Sequence, residues 1–456
     1  MRVKIDKKTN LNESDIIHRA ILLGTKDIFF RLSGPNVDLP STMVKIYSVM
    51  DRESEYGVWL LDFPYCIVNE MSRDHIITRN PGAGEKNDRC RECRYFKSCA
   101  GFPAGYFKKF GTGELAPIKD QPLEVMIEVE PRCNYDCPFC YNRNSFARKN
   151  RDINALSADY VKKIIDKIVE TGIGIIRFTG GEPLLRPDIF ALMEYAKDKK
   201  LEVRLNTNCS LVNAANINKF KGIVDNILIP IESCSEAEEA KATGQKEALK
   251  KKVAAIRLFK KIGVPTIRVG TVATFGAINN LEKLSDFILG LPVDEWELYR
   301  PISSGRNKRK LSGIEIKKLI YGIIKIQKKT EKKIILANAL PFCALNDLNK
   351  ASSVSHGALF DDGHNRIVVD PRGFVKPHYF LDKNIGDPLD IISAWNSAFM
   401  KKMRNLEFLP PECRKCNYCF KCRGGSRFEA FSAVGKWDAP DPLADFNNIL
   451  LWKESI

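Results

Sequence analysis

No stretch of this sequence approaches the ~18 apolar residues in a row that a membrane-spanning helix requires. The opening MRVKIDKKTNLNESD carries basic charge but no apolar segment behind it, so the pattern of a secretory signal is missing too. Both absences predict a cytoplasmic chain with no membrane partner. Cysteines scattered in the manner of a disulfide framework are also lacking. Most of the fourteen fall in short-spaced groups, at 90, 93 and 99, at 133, 137 and 140, and at 413, 416, 419 and 422. Metal ligands bunch in this way, and a reducing cytosol keeps them available as thiolates.

With 44% hydrophobic and 28% charged residues, the composition is that of a globular protein with apolar side chains enough for a large core. Its 456 residues exceed one small domain and predict two or three. The formal net charge of +16 admits an acidic or nucleic-acid partner, but the lysines are spread along the chain, as on a solvated basic surface. Arg143, Arg148, Lys149 and Arg151 directly follow the central cysteines, either lining the mouth of their site or forming a solvated loop.

From about residue 122 to 300, strand-like and helix-like stretches alternate, which predicts a parallel sheet with crossover helices. Strands are expected at 123–130, 173–178, 201–205, 227–231, 266–274 and 295–299. Ser157 is placed to cap a helix whose Val161, Ile164, Ile165, Ile168 and Val169 share one face. Six β/α steps suit a partial (β/α)6 barrel within an α/β fold, not a closed eight-stranded one. The expected domains are 1–118, with a cysteine module at about 90–117, then the core at 119–310, then a cysteine-rich domain at 311–456. An offset of 323 positions lays Cys90, Arg91, Cys93, Tyr95, Cys99 and Gly101 on Cys413, Arg414, Cys416, Tyr418, Cys422 and Gly424. Both copies read C-x2-C-x5-C, so they are taken as related metal-binding modules.

The central group, Cys133, Cys137 and Cys140, forms a C-x3-C-x2-C loop straight after a strand. Three thiolates occupy three irons of a cubane and leave the fourth open, as a chelating cofactor needs. The alternatives for the triplet alone are zinc with a borrowed fourth ligand, or a buried structural cluster. The next strand ends in Gly180-Gly181-Glu182-Pro183, where glycines permit close approach and a carboxylate can accept a hydrogen bond from an ammonium group. Alone, this segment equally reads as a strand-to-helix turn. Both groups fall at C-terminal strand ends, where such sheets bind ligands.

Together, the strand, the cysteine loop and FTGGEPLLR (Phe178 to Arg186) resemble the radical S-adenosylmethionine superfamily. The resemblance implies an anaerobic enzyme whose Cys133, Cys137 and Cys140 hold a [4Fe-4S] cluster, with S-adenosylmethionine chelating the open iron. It further implies Phe139 near the adenine, Gly180, Gly181 and Glu182 at the methionine amino group, and Asn206 to Asn208 facing the cofactor. A flavodoxin- or ferredoxin-like donor would supply the electron. Reductive cleavage would yield a 5'-deoxyadenosyl radical that abstracts hydrogen from a substrate. A peptide or protein is the expected substrate; the alternatives are a tetrapyrrole or pterin precursor, an RNA, or a non-catalytic iron-sulfur or zinc protein.

The likeness extends to SPASM and twitch-type members over roughly residues 120–443, through RIVVDPRGFVKPH (Arg366 to His378), Asn384-Ile385-Gly386, Trp395 and the last cysteine run. His378, Ser426 and Leu443 depart from that pattern, which leaves the C-terminal region short of a full pair of auxiliary clusters. One site is expected on Cys413, Cys416 and Cys422, completed by Cys343, Cys419 or His378. The N-terminal copy offers Cys90, Cys93 and Cys99, with Cys66 as candidate fourth. Either module suits iron-sulfur or zinc. Pro230 and Glu232 stand where peptide-modifying members tend to carry serine and aspartate. Cys209 and Cys234 read either as hydrogen donors to a radical or as small buried hydrophobes.

Overall fold

In the computed structural model, residues 1–6, 11–23, 27–32, 34, 36–50, 56–144, 154–303 and 310–449 are described; Arg148, Lys149 and Arg151 lie outside them. The chain divides into two compact units, Met1–Asp120 with Asp347–Ser353, and Gln121–Asn346 with Val354–Ile456.

The first unit carries a four-stranded parallel sheet in sequence order: β1 (Arg2–Ile5), β2 (Asp27–Leu32), β3 (Gly57–Leu61) and β4 (Ile76–Ile77). Two amphipathic helices supply its crossovers. Glu13–Leu22 is capped by the Asn12 side chain on Asp15 N, and Leu39–Met50 buries Leu39, Met43, Ile46, Val49 and Met50. Their apolar faces meet Ile28, Phe30, Val58 and Leu60 in one core.

The second unit is built on β5 (Glu124–Glu130), β6 (Ile175–Gly180), β7 (Glu202–Asn206), β8 (Asn226–Pro230), β9 (Thr266–Val272), β10 (Glu295–Tyr299), β11 (Lys333–Leu336), β12 (Arg366–Val369) and β13 (Val375–Lys376). Strands β5 to β11 are parallel neighbours in chain order; β12 adds in parallel to the free edge of β5, and β13 pairs with β12 antiparallel. The six expected β/α steps appear as β5 to β10 in an open sheet. Strands β11 to β13, from beyond the expected core, extend it on both sides.

The sheet's two faces differ in chemistry. One is apolar and helix-covered; helix Ala158–Glu170, capped by Ser157 on Tyr160 N at 3.2 Å, buries Val161, Ile164, Ile165 and Ile168. The other carries charge, because strands such as EVMIEVE alternate with a two-residue period. Strand pairing aligns Glu124, Glu128, Arg177, Arg204, Arg268 and Glu297 on that face. All but Arg204 are nearly inaccessible, so each needs a partner. Glu124 accepts from Arg177 Nη2 at 3.2 Å and Arg204 Nη1 at 3.1 Å, Arg268 pairs with Glu297, and Lys376 Nζ lies 3.0 Å from Glu128. Burial pushes Glu124 up, but the two guanidiniums overcome it and hold the carboxyl down to about 2. For Glu128 burial outweighs the single lysine, and its carboxyl is raised. Among the described residues no helix is long and apolar enough to cross a membrane.

Candidate active site

The C-terminal ends of β5, β6 and β7 hold the cysteine loop, the Gly-Gly-Glu-Pro turn and the Asn-Thr-Asn segment side by side. The turn is clamped to the chain that leads into Cys133: Gly181 N donates to Glu130 O at 2.6 Å and Glu182 N to Arg132 O at 2.8 Å. The two glycines are required by that contact. Gly180 has φ +132°, and a Cβ on Gly181 would sit 2.0 Å from Arg132 O.

Glu182 ties the third segment to the same place. Its buried carboxylate accepts from Leu184 N at 3.0 Å, Thr207 Oγ1 at 2.7 Å and Asn208 N at 2.7 Å. Burial pushes it up to about 7 while these three donors pull the other way. Asn208 Nδ2 in turn reaches Cys133 Sγ at 3.8 Å and Asn134 Oδ1 at 2.9 Å, and Tyr135 N donates to Cys133 Sγ at 3.4 Å. Asn206 accepts from Arg177 Nη1 at 3.0 Å, within the charged face of the sheet. Phe139 is half-buried in the loop beside Cys140.

Several residues of this site escaped the sequence reading. Behind the loop lie Glu239 and Lys252, both wholly buried, with Nζ 2.5 Å from Oε1. The other oxygen of Glu239 accepts from Glu232 N and Ser233 N, each at 2.8 Å. Lys252 also lies over the Tyr135 ring at 5.4 Å, and Thr243 O accepts from Asp136 N at 3.0 Å. Burial, then Glu239, push Glu232 up to about 8. The signal was present: Lys252 interrupts the apolar stripe of Ala248, Leu249, Ala255, Ile256 and Phe259. A charge in such a stripe needs a buried partner. Cys209, fully buried with φ +61°, has its thiol 3.8 Å from Thr207 O, while Cys234 is half-buried.

The triplet fits a cluster. Burial, with Cys140 and Glu232 close by, pushes the Cys137 thiol up to about 12, so it ionises when a metal displaces its proton. Among the described residues no three Cys, His, Asp or Glu side chains are drawn up around a point as they are about a single ion.

In the C-terminal region the fold brings Cys343 to Cys413, Cys416, Cys419 and Cys422, all buried. Burial and the neighbouring Cys422 push Cys343 up to about 12. Cys422 Sγ accepts from Phe342 N at 3.4 Å and Cys416 Sγ from Tyr418 N at 3.5 Å. His378 instead faces Asp362, Nε2 to Oδ1 3.3 Å, between the rings of Phe380 and Phe428. Ser426 caps a helix, its Oγ accepting from Glu429 N at 3.2 Å.

Residues 127–289 match the profile of the Radical SAM superfamily. The PqqA peptide cyclase of Bradyrhizobium diazoefficiens is 23% identical over 70% of this chain and 85% of its own. An AdoMet-dependent heme synthase of Methanosarcina barkeri is 24% identical over 71% of this chain and 97% of its own. Among solved structures, Streptococcus suis SuiB bound to S-adenosylmethionine superposes with a TM-score of 0.59 at 16% identity, over 72% of this chain and 78% of that one. SuiB bound to its precursor peptide SuiA gives 0.59 at 15% identity, over 72% and 76%.

Proposed function

From the match of residues 127–289 to the Radical SAM superfamily, we infer that this chain is a radical S-adenosylmethionine enzyme that cleaves S-adenosylmethionine reductively at a [4Fe-4S] cluster on Cys133, Cys137 and Cys140 and modifies a peptide or protein. The observation that carries this reading is the bonded continuity of the three strand ends. Gly181 and Glu182 hold the chain entering Cys133, Glu182 holds Asn208, and Asn208 reaches the Cys133 sulfur.

Bound at Cys133, Cys137 and Cys140, a reduced cluster would supply the electron for reductive cleavage of S-adenosylmethionine. The chain's own part is positioning. Three cysteine ligands would leave one iron without a protein ligand, free for the cofactor's methionine end. Donors from Tyr135 and Asn208 aimed at Cys133 stabilise its thiolate. Gly180 and Gly181 keep side-chain bulk away from the loop, and Phe139 and Asn208 flank the cofactor position. The buried charged face of the sheet, with Glu124 paired to Arg177 and Arg204, Arg268 to Glu297 and Glu128 to Lys376, gives the strand ends a fixed polar floor.

The peptide-cyclase relative and the peptide-bound neighbour support a peptide substrate. The heme synthase relative favours a second reading, a tetrapyrrole precursor. An auxiliary cluster on Cys343, Cys413, Cys416 and Cys422 and a flavodoxin- or ferredoxin-like donor complete the proposal. Anaerobic reconstitution followed by reduction with S-adenosylmethionine tests it, with 5'-deoxyadenosine as product. Cys133→Ala is expected to form none while keeping iron elsewhere; retained cleavage in that variant would sink the assignment. Deuterium passing into 5'-deoxyadenosine from a labelled peptide, and not from a labelled tetrapyrrole, selects the first substrate class; the reverse selects the second.

A further inference from the structure

The matched profile begins at residue 127, and nothing in the proposed reaction uses the cysteines before it. Yet Cys66, Cys90, Cys93 and Cys99 line one cavity of the first unit, of about 360 Å3 including its open mouth. They arrive from separated places. Cys66 sits in the turn Tyr65–Ile67, Cys90 in the turn Asp88–Glu92 capped by Asn87, and Cys93 just after it. Cys99 precedes a backbone ladder in which Gly84 N donates to Ala100 O at 2.7 Å and Glu85 pairs with Phe102. Gly101, at φ +89°, makes that ladder possible, since a Cβ there would lie 2.8 Å from the Gly84 carbonyl carbon.

The surroundings suit sulfur ligands. Tyr65, Phe96, Phe102, Leu115 and Pro117 line the cavity beside the sulfurs, with Glu85 and Lys86 as its charged members, and Cys66 and Cys90 pack against the unit's apolar core. Three of the four sulfurs accept a backbone N–H: Cys93 from Ile118 at 3.4 Å, Cys99 from Gly101 at 3.3 Å, and Cys66 from Ala116. Backbone donors aimed at sulfur stabilise thiolates and tune the clusters they bind. Cys66 is close enough to Cys99, Cys93 and Cys90 for each to act on its thiol, so the four sulfurs face one another across the cavity.

We propose that the first unit holds a [4Fe-4S] cluster of its own, closed by Cys66, Cys90, Cys93 and Cys99. With four protein ligands no iron is open, so this cluster does not bind S-adenosylmethionine; it carries electrons or braces the unit. The proposal stands whether or not the central site cleaves S-adenosylmethionine.

Full-length protein lacking the central ligands (Cys133→Ala, Cys137→Ala, Cys140→Ala) provides the test. Adding Cys66→Ser or Cys90→Ser to this parent is expected to remove about four irons and about four sulfides. A reduced-cluster resonance that S-adenosylmethionine leaves unchanged should vanish with them. Loss of zinc instead, or no loss of metal, overturns the proposal, and iron retained in Cys66→Ser alone overturns Cys66 as the fourth ligand. Thiol alkylation of the iron-loaded parent does not depend on how the variants fold. Cys66, Cys90, Cys93 and Cys99 should resist labelling until a chelator strips the iron; labelling before that step overturns the site.

Discussion

Replacing Lys252 with methionine keeps the length of the side chain and deletes its charge. Both partners of the Lys252–Glu239 pair are wholly buried, and the ammonium lies 2.5 Å from Glu239 Oε1. Without it, the Glu239 carboxylate stays in the interior with only Glu232 N and Ser233 N donating to its other oxygen. Breaking a buried pair from one side costs about 3–5 kcal/mol, because an uncompensated charge is left behind. Global melting is a poor assay for a chain of two units, since a single two-state transition is not assured. Amide hydrogen exchange in helices Glu236–Thr243 and Ala248–Ile262 reads the local opening directly. At about 1.4 kcal/mol per factor of ten, exchange should accelerate by roughly two to four powers of ten. Adding Glu239→Gln removes the stranded charge and should restore most of the protection. Exchange within about threefold of the parent in Lys252→Met, or a double variant no better than the single one, would refute the reasoning.

Gly181→Ala should detach the Gly-Gly-Glu-Pro turn from the chain entering Cys133, since its Cβ would fall 2.0 Å from a backbone oxygen. Iron of the central cluster and 5'-deoxyadenosine formation should both be lost, whereas Gly174→Ala, with nothing within 4 Å, should change neither. The Glu232 carboxyl sits at about 8, above its usual 4.5, so its contribution to stability is complete below about pH 4.5 and is lost as pH rises through 8. Across that window the metal-free chain should lose local stability by up to about 1.4 kcal/mol per pH unit from this group. In Glu232→Gln the slope should flatten when followed by exchange at Glu236–Thr243; an unchanged slope refutes the assignment.

The contrast between Ser157 and Lys252 shows which features were legible in the amino-acid order. Ser157 caps its helix and Val161, Ile164, Ile165 and Ile168 face inward as their spacing predicts, because caps and periodicity act over a few residues. The same locality exposed the six strands from β5 to β10 and the C-x3-C-x2-C loop. Glu182 was found by its motif, but its three donors come from Leu184, Thr207 and Asn208, two of them across a strand-to-strand gap that spacing does not disclose. Cys66 and Cys343 stood outside any repeat, so only folding could set them beside their cysteine runs.

The sequence by itself determined the alternation of elements, the central triplet and the Gly-Gly-Glu-Pro turn, all of which depend on neighbours within a turn or a strand. Tertiary structure alone decided that β12 and β13 extend the sheet beside β5, that Lys252 answers Glu239 behind the cysteine loop, and that Cys66 shares a cavity with Cys90, Cys93 and Cys99. Those pairings join residues far apart in the chain, and they are selected by the need to satisfy buried charge and sulfur once the apolar surfaces have closed.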